Sequence, residues 1–251
     1  MAFCHVQFSS QTLGKAVGAN VILPDVGKPP FPVFYLLHGL SDDYTIWQRR
    51  TRIEWYVRTL PLIVVMPDGF RGFYTNNEQG PAYANFMARE LPAFVERNFP
   101  AMTTGKARCV GGLSMGGYGA MRLALGFPDQ YVSGTSHSGA LAFGNQPLEL
   151  DGNRSVEFER IIGTNPIGSE HDLFMLAERC HREGNTPALR IDCGTDDSLL
   201  ESNRSFTGHL AQLGVKHEYE EFPGTHSWDY WDEHVQEALA FHCRHLCIQP
   251  V

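Results

Sequence analysis

Ala107-Arg108-Cys109-Val110-Gly111-Gly112-Leu113-Ser114-Met115-Gly116 runs from an apolar, strand-like segment into a glycine-rich turn, and residues 117–127 continue with helical spacing. A Gly-x-Ser-x-Gly turn between a strand and a helix is so tight that the neighbours of the serine must lack side chains. The Ser114 hydroxyl is thereby pushed into a strained, exposed position at the carboxyl end of a sheet. The Met115 amide opens into the same space, at the positive end of the following helix. Ser114 is thus a candidate nucleophile, with the Met115 amide as a candidate oxyanion donor.

Working outward, residues 33–39 and 62–68 are continuous apolar runs of the kind buried on both faces of a parallel sheet. Between them, residues 52–60 predict a helix with Ile53, Tyr56 and Val57 on one face. Residues 84–99 predict a longer helix, kinked at Pro92. The opening segments 4–10 and 15–23 alternate in polarity around Gln11-Thr12-Leu13-Gly14 and predict an antiparallel hairpin. Downstream, strands are expected at 131–138, 188–193 and 217–222, with helices at 199–213 and 228–246. Such alternation implies one α/β domain over 1–251, a mostly parallel sheet with helices on both faces. Residues 139–180 break the pattern and are expected to form a lid-like insertion over the carboxyl ends of the strands. Its apolar residues, including Phe143, Leu148, Leu150, Phe158 and Ile167, exceed what a solvated loop needs.

A serine hydroxyl needs a base to take its proton, and the base needs an acid behind it. After a nucleophile elbow these follow in the order acid, then histidine. Asp196 and Asp197 both lie past the strand ending near Cys193; Asp197, three residues beyond Gly194, fits the acid turn better. His226 follows the last strand with small Gly224 and Thr225 before it, which separates it from the ten other histidines. A second oxyanion donor is expected after His38-Gly39: the amide of Leu40, with Gly39 allowing a substrate to approach closely.

Composition excludes several alternatives. The formal charge is −8 and Lys/Arg residues do not cluster, so a nucleic-acid partner is not expected. No apolar run reaches the roughly 20 residues of a membrane span, and the first residues lack the pattern of a signal peptide, so a cytoplasmic protein is expected. The six cysteines do not resemble a disulfide framework. Cys243 and Cys247 share a helix face at i, i+4, yet a helix end explains them more simply than a metal clip does, so no metal is expected. The oligomeric state stays open.

Taken together, Tyr35-Leu36-Leu37-His38-Gly39-Leu40, Pro67-Asp68-Gly69, Gly111-Gly112-Leu113-Ser114-Met115-Gly116-Gly117-Tyr118-Gly119-Ala120, Gly194-Thr195-Asp196-Asp197 and Gly224-Thr225-His226-Ser227-Trp228 resemble the tributyrin-esterase branch of an esterase family. That family also holds S-formylglutathione hydrolases, feruloyl esterases and mycolyltransferases. The resemblance covers nearly the whole chain except 144–167. It implies an α/β-hydrolase fold and hydrolysis of short-chain carboxylic esters, such as tributyrin, p-nitrophenyl or aryl esters. Ser114, Asp197 and His226 would carry the reaction through an acyl-enzyme, with oxyanion donors at Leu40 and Met115 and no cofactor. Gly72-Phe73-Tyr74 and Glu90-Leu91-Pro92 are similar to segments of S-formylglutathione hydrolases, which keeps a thioesterase as the alternative. The compact loop Asp197-Ser198-Leu199-Leu200 departs from that subgroup. Feruloyl or acetyl ester cleavage is a further alternative, and a non-catalytic binding module is disfavoured because all three candidate residues are present.

Overall fold

Apolar strands that must hide both faces force a sheet into the middle of the molecule. The computed structural model, which describes residues 1–146 and 153–251, has eight strands in that position. They are β1 (Ala2–Ser10), β2 (Lys15–Leu23), β3 (Val33–Leu37), β4 (Ile63–Pro67), β5 (Arg108–Leu113), β6 (Ser133–His137), β7 (Ala188–Gly194) and β8 (His217–Phe222). Their order across the sheet is β1-β2-β4-β3-β5-β6-β7-β8. The expected hairpin β1–β2 is antiparallel and pairs Ala2 with Leu23 through Ser10 with Lys15, and β2 runs antiparallel to β4. All other pairings are parallel.

Period-2 alternation divides the core into two layers. In β3, Val33, Tyr35 and Leu37 face one cluster while Phe34 and Leu36 face the other. Burying each such large side chain is worth about 1.5–3 kcal/mol. The helices are α1 (Ile46–Arg50), α2 (Ile53–Val57), α3 (Tyr83–Asn85), α4 (Leu91–Asn98), α5 (Met115–Gly126), α6 (Asn153–Ile162), α7 (Leu173–Glu183), α8 (Leu200–Leu213) and α9 (Trp228–Leu246). Residues of α4, α5, α7 and α8 enter the first cluster, and those of α1, α2 and α9 the second.

The single helix expected over 84–99 is interrupted. A π-helical turn at Phe86–Glu90 joins α3 to α4, and Pro92 sits in the first turn of α4. Proline lacks an N–H and is tolerated in a first turn, so the widened π turn replaces the expected proline kink. Glu90, at the end of that turn, accepts from Ser10 Oγ and from the backbone N–H groups of Gln11 and Thr12, which locks the β1–β2 turn.

Within the 139–180 segment, α6 and the first part of α7 are helical, and α7 packs into the first core cluster as the crossover between β6 and β7. Leu148 and Leu150 lie outside the described residues. Of the other apolar residues there, Leu141, Ile161, Ile162 and Leu173 are buried, whereas Ile167 is exposed. Phe143 and Phe158 stack with Phe73 and Tyr118, fastening α6 to the loop after β4 and to α5.

Candidate active site

Strand order reverses around β3: the chain proceeds from β3 to β4 on one side, then crosses to β5 on the other. Such a switch point leaves a crevice at the carboxyl ends of the strands. Ser114 stands there, between β5 and α5, with φ 52° and ψ −116°. The strain is held from several sides. Ser114 N–H donates to the His137 carbonyl at 3.0 Å, and the Ser114 carbonyl accepts from Ala140 and Tyr118. Close approach also explains the glycines. A Cβ on Gly116 would lie 2.6 Å from the Leu37 carbonyl oxygen, and one on Gly112 would lie 2.7 Å from Gly116 backbone.

His226 Nε2 lies 3.0 Å from Ser114 Oγ, and its Nδ1 lies 2.9 and 3.1 Å from the two Asp197 oxygens. An ionised carboxylate only accepts, so Nδ1 carries the proton and Nε2 is free to accept from the serine. Burial pushes Asp197 upward in pKa, but hydrogen bonds from His226 and from the Leu199 N–H outweigh it and hold the carboxyl below its usual range. The side chain of Asp197 is 0% exposed and that of His226 is 32% exposed, so the chain of three opens to solvent at the serine end. Asp196 is exposed; its N–H donates to the Gly224 carbonyl and its carboxylate accepts from Thr195. Thus Asp197, not Asp196, meets the histidine.

The side expected to hold the oxyanion is built from His38 onward. His38 is buried; its Nδ1 lies 2.7 Å from the Gly39 carbonyl and its Nε2 accepts from Gly69 N–H at 2.9 Å. Tyr74 Oη donates to the His38 carbonyl at 3.0 Å. These bonds fix the turn that carries Leu40. A Cβ on Gly39 would come within 2.9 Å of Leu113 and 3.9 Å of Ser114 Cβ, so the turn lies directly beside the elbow. The Leu40 carbonyl accepts from Arg71 Nη1 at 3.4 Å, and Arg71 makes a two-pronged pair with Glu157 of α6 at 2.5 and 2.7 Å. A cavity of about 580 Å³ lies between the Phe70–Gly72 loop, Asn77–Tyr83 and α6, with Arg71 in its wall.

The supporting roles of several residues escaped the sequence reading. Trp231 presents its ring edge-on to His226, with centroids 4.9 Å apart, and stacks edge-on with Trp228, which in turn meets Trp47. Trp228 and Trp231, two and five residues after His226, were the available signal. His38 was visible only as the polar end of an apolar run. Among the described residues no group of three or more His, Cys, Asp or Glu could hold a metal ion. Cys243 is buried and Cys247 is exposed at the end of α9. No helix among the described residues is long and apolar enough to cross a membrane.

Comparison with known proteins shows the family of the chain. The family model described as "Putative esterase" matches residues 10–242. The chain is 30% identical to an acetyl esterase of Caldicellulosiruptor saccharolyticus, over 95% of this chain and 97% of that protein. Among solved structures, the substrate-bound fluorophosphonate-binding serine hydrolase F of Staphylococcus aureus matches with a TM-score of 0.87 and 31% identity, covering 96% of this chain and 97% of that one. An S-formylglutathione hydrolase from the same organism matches with a TM-score of 0.84 and 31% identity, covering 96% and 98%. The chain belongs to the esterase family and is a carboxylic-ester hydrolase of the serine type, on an α/β-hydrolase fold.

Proposed function

We propose that this esterase cleaves short-chain acyl esters with Ser114 as nucleophile, His226 as general base and acid, and Asp197 as the group that orients His226. The observation that carries this reading is the unbroken contact from Asp197 through His226 to Ser114 Oγ at 3.0 Å. In the first step Ser114 Oγ bonds to the ester carbonyl carbon while its proton passes to His226 Nε2. The carbonyl π electrons move onto oxygen, and the amides of Leu40 and Met115 stabilise that oxyanion. Collapse breaks the bond to the alcohol oxygen, which takes the proton from His226 and leaves as the alcohol. Water then gives a proton to His226, attacks the acyl-enzyme and releases the acid, and the proton returns to Ser114. No step calls for a metal or organic cofactor.

Residues 139–146 and α6 form one wall of the substrate space in this reading. Support comes from the Ala140 N–H on the Ser114 carbonyl and from Arg71, which joins α6 to the Leu40 turn. Six free cysteines favour a reducing, cytoplasmic setting. A thioester substrate is the second reading, favoured by the likeness to an S-formylglutathione hydrolase. One panel decides: p-nitrophenyl esters of rising acyl length, methyl ferulate and S-formylglutathione, each with wild type and Ser114→Ala. The expected result is highest kcat/KM on acetyl to butyryl esters, lost in the variant. A dominant rate on S-formylglutathione selects the second reading, and turnover surviving in Ser114→Ala overturns both.

A further inference from the structure

A second histidine–aspartate pair lies within the sheet, outside the mechanism above. His137 ends β6 and Asp192 lies opposite it in β7. His137 Nδ1 meets the two Asp192 oxygens at 2.9 and 2.8 Å, and Tyr230 Oη donates to Asp192 Oδ1 at 3.0 Å. All three residues are buried. Burial, together with the neighbouring Asp192 charge, raises the Tyr230 phenol well above its ordinary pKa, so it remains a donor at working pH.

Each member belongs to a segment that presents one candidate catalytic residue. The His137 carbonyl accepts the Ser114 N–H at 3.0 Å, and the next residue, Ser138, donates its N–H to the Asp192 carbonyl at 2.8 Å. Asp192 is five residues before Asp197 and in the strand that feeds its turn. Tyr230 is four residues past His226, and its ring lies 2.6 Å from where a Cβ on Gly224 would stand, directly under the turn that carries His226. The two turns also touch: Asp196 N–H donates to the Gly224 carbonyl and Thr195 N–H to Phe222. One buried trio therefore ties together the supports of nucleophile, acid and base.

We propose that His137, Asp192 and Tyr230 form a positioning network that sets the mutual placement of Ser114, Asp197 and His226. The proposal rests on the reading of those three as the catalytic unit. Reacting groups must be held to within a fraction of an ångström, so loss of one tie should slow the chemical step more than it weakens substrate binding.

The test compares Tyr230→Phe and Asp192→Asn with Ser133→Ala. Ser133 opens the same β6, and its hydroxyl lies 2.8 Å from His242 Nδ1, so the control also removes one buried hydrogen bond from that strand. Each protein is assayed on p-nitrophenyl acetate well below its melting transition, with competent sites counted by stoichiometric fluorophosphonate labelling. The expected result is a kcat per site at least five-fold lower in Tyr230→Phe and Asp192→Asn, with KM within two-fold of wild type. Ser133→Ala should lower the melting temperature while keeping kcat per site. If Asp192→Asn does not fold, Tyr230→Phe alone decides. Values of kcat per site in the network variants equal to that of Ser133→Ala overturn the positioning role. Turnover persisting in Ser114→Ala would instead show that the underlying catalytic assignment had failed.

Discussion

His226 and His137 each hold an aspartate through Nδ1, at 2.9 Å to Asp197 and 2.8 Å to Asp192, and both aspartates come from β7 or the turn after it. The other ring nitrogen separates them. His226 Nε2 reaches Ser114 Oγ and faces a crevice open to solvent, whereas His137 Nε2 is buried with no partner among the described residues. A histidine–aspartate pair acts as a base only where a proton donor and room for substrate meet its free nitrogen. Enclosed, the same pair ties two strands together. On the proposed reading, identical chemistry takes two roles according to depth in the sheet.

The largest effect should come from changing the open pair. Ser114→Ala and His226→Ala are expected to lower kcat by 10³-fold or more, and Asp197→Asn by about 10³- to 10⁴-fold, because the members act as a unit. Asp196→Asn should stay within about three-fold, since its side chain is exposed and accepts from neighbouring Thr195. Steady-state kinetics with circular dichroism to check folding reads this directly. If Asp196→Asn is the damaging change, the open pair has been assigned to the wrong acid.

In the closed pair the main cost should fall on stability. Asp192→Ala leaves the Tyr230 hydroxyl and the His137 Nδ1–H buried without an acceptor, and each such orphan costs about 1–3 kcal/mol. Urea unfolding is expected to show a loss of at least about 2 kcal/mol, against less than about 0.5 kcal/mol for exposed Asp196→Ala. Equal losses in the two variants would mean that the buried carboxylate contributes nothing.

This contrast also marks what the chain reveals before it folds. The sheet was readable because β3 and β4 are unbroken apolar runs and β1 and β2 alternate around a short turn, patterns that follow from burial alone. Glycine spacing about Ser114 was readable for the same local reason. The π turn at Phe86–Glu90 was not, because a single widened turn inside a helix carries no periodicity of its own. Nor was the trio of His137, Asp192 and Tyr230: these residues lie up to 93 positions apart by number, and only the parallel register of β6 and β7 sets two of them face to face. The choice of Asp197 over Asp196 depended on spacing alone, where the folded turn points one side chain inward and the other to solvent.

Acid should draw on the buried histidines His242 and His171. His242 sits between Ser133 and Thr135 hydroxyls and against Phe34, and burial, reinforced by His137 and His245, holds its pKa well below the ordinary value. The unfolded chain then binds a proton that the folded chain refuses, so this stability is present above about pH 6.5 and declines as pH falls below it. The slope is about 1.4 kcal/mol per unit for one such group. His171, lowered mainly by burial, acts in the same window, while carboxylates with lowered pKa, such as Asp197, act only below about pH 4. Urea unfolding at pH 7.5 and 5.5 should show a smaller pH loss in His242→Gln than in wild type. An unchanged difference would remove His242 from the acid response.

The smallest effect concerns the wall made by α6. Val156 and Ile167 are the exposed apolar residues among those described in the 139–180 segment, at 51% and 47% exposure, but only Val156 lines the 580 Å³ cavity beside Arg71. One hydrophobic contact is worth at most about 1–3 kcal/mol of discrimination, and a half-exposed valine reaches only part of that. Val156→Ala is therefore expected to shift the hexanoate-to-acetate ratio of kcat/KM by about two- to five-fold, and Ile167→Ala to leave it unchanged. Ile162, Leu173 and Leu176 are buried and do not line that cavity, so their truncation should read out in stability before selectivity. Equal shifts from Val156→Ala and Ile167→Ala would place the acyl chain on the outer surface of the segment. No shift from either would leave α6 as packing alone and move selectivity to the turns around Leu40 and Phe70.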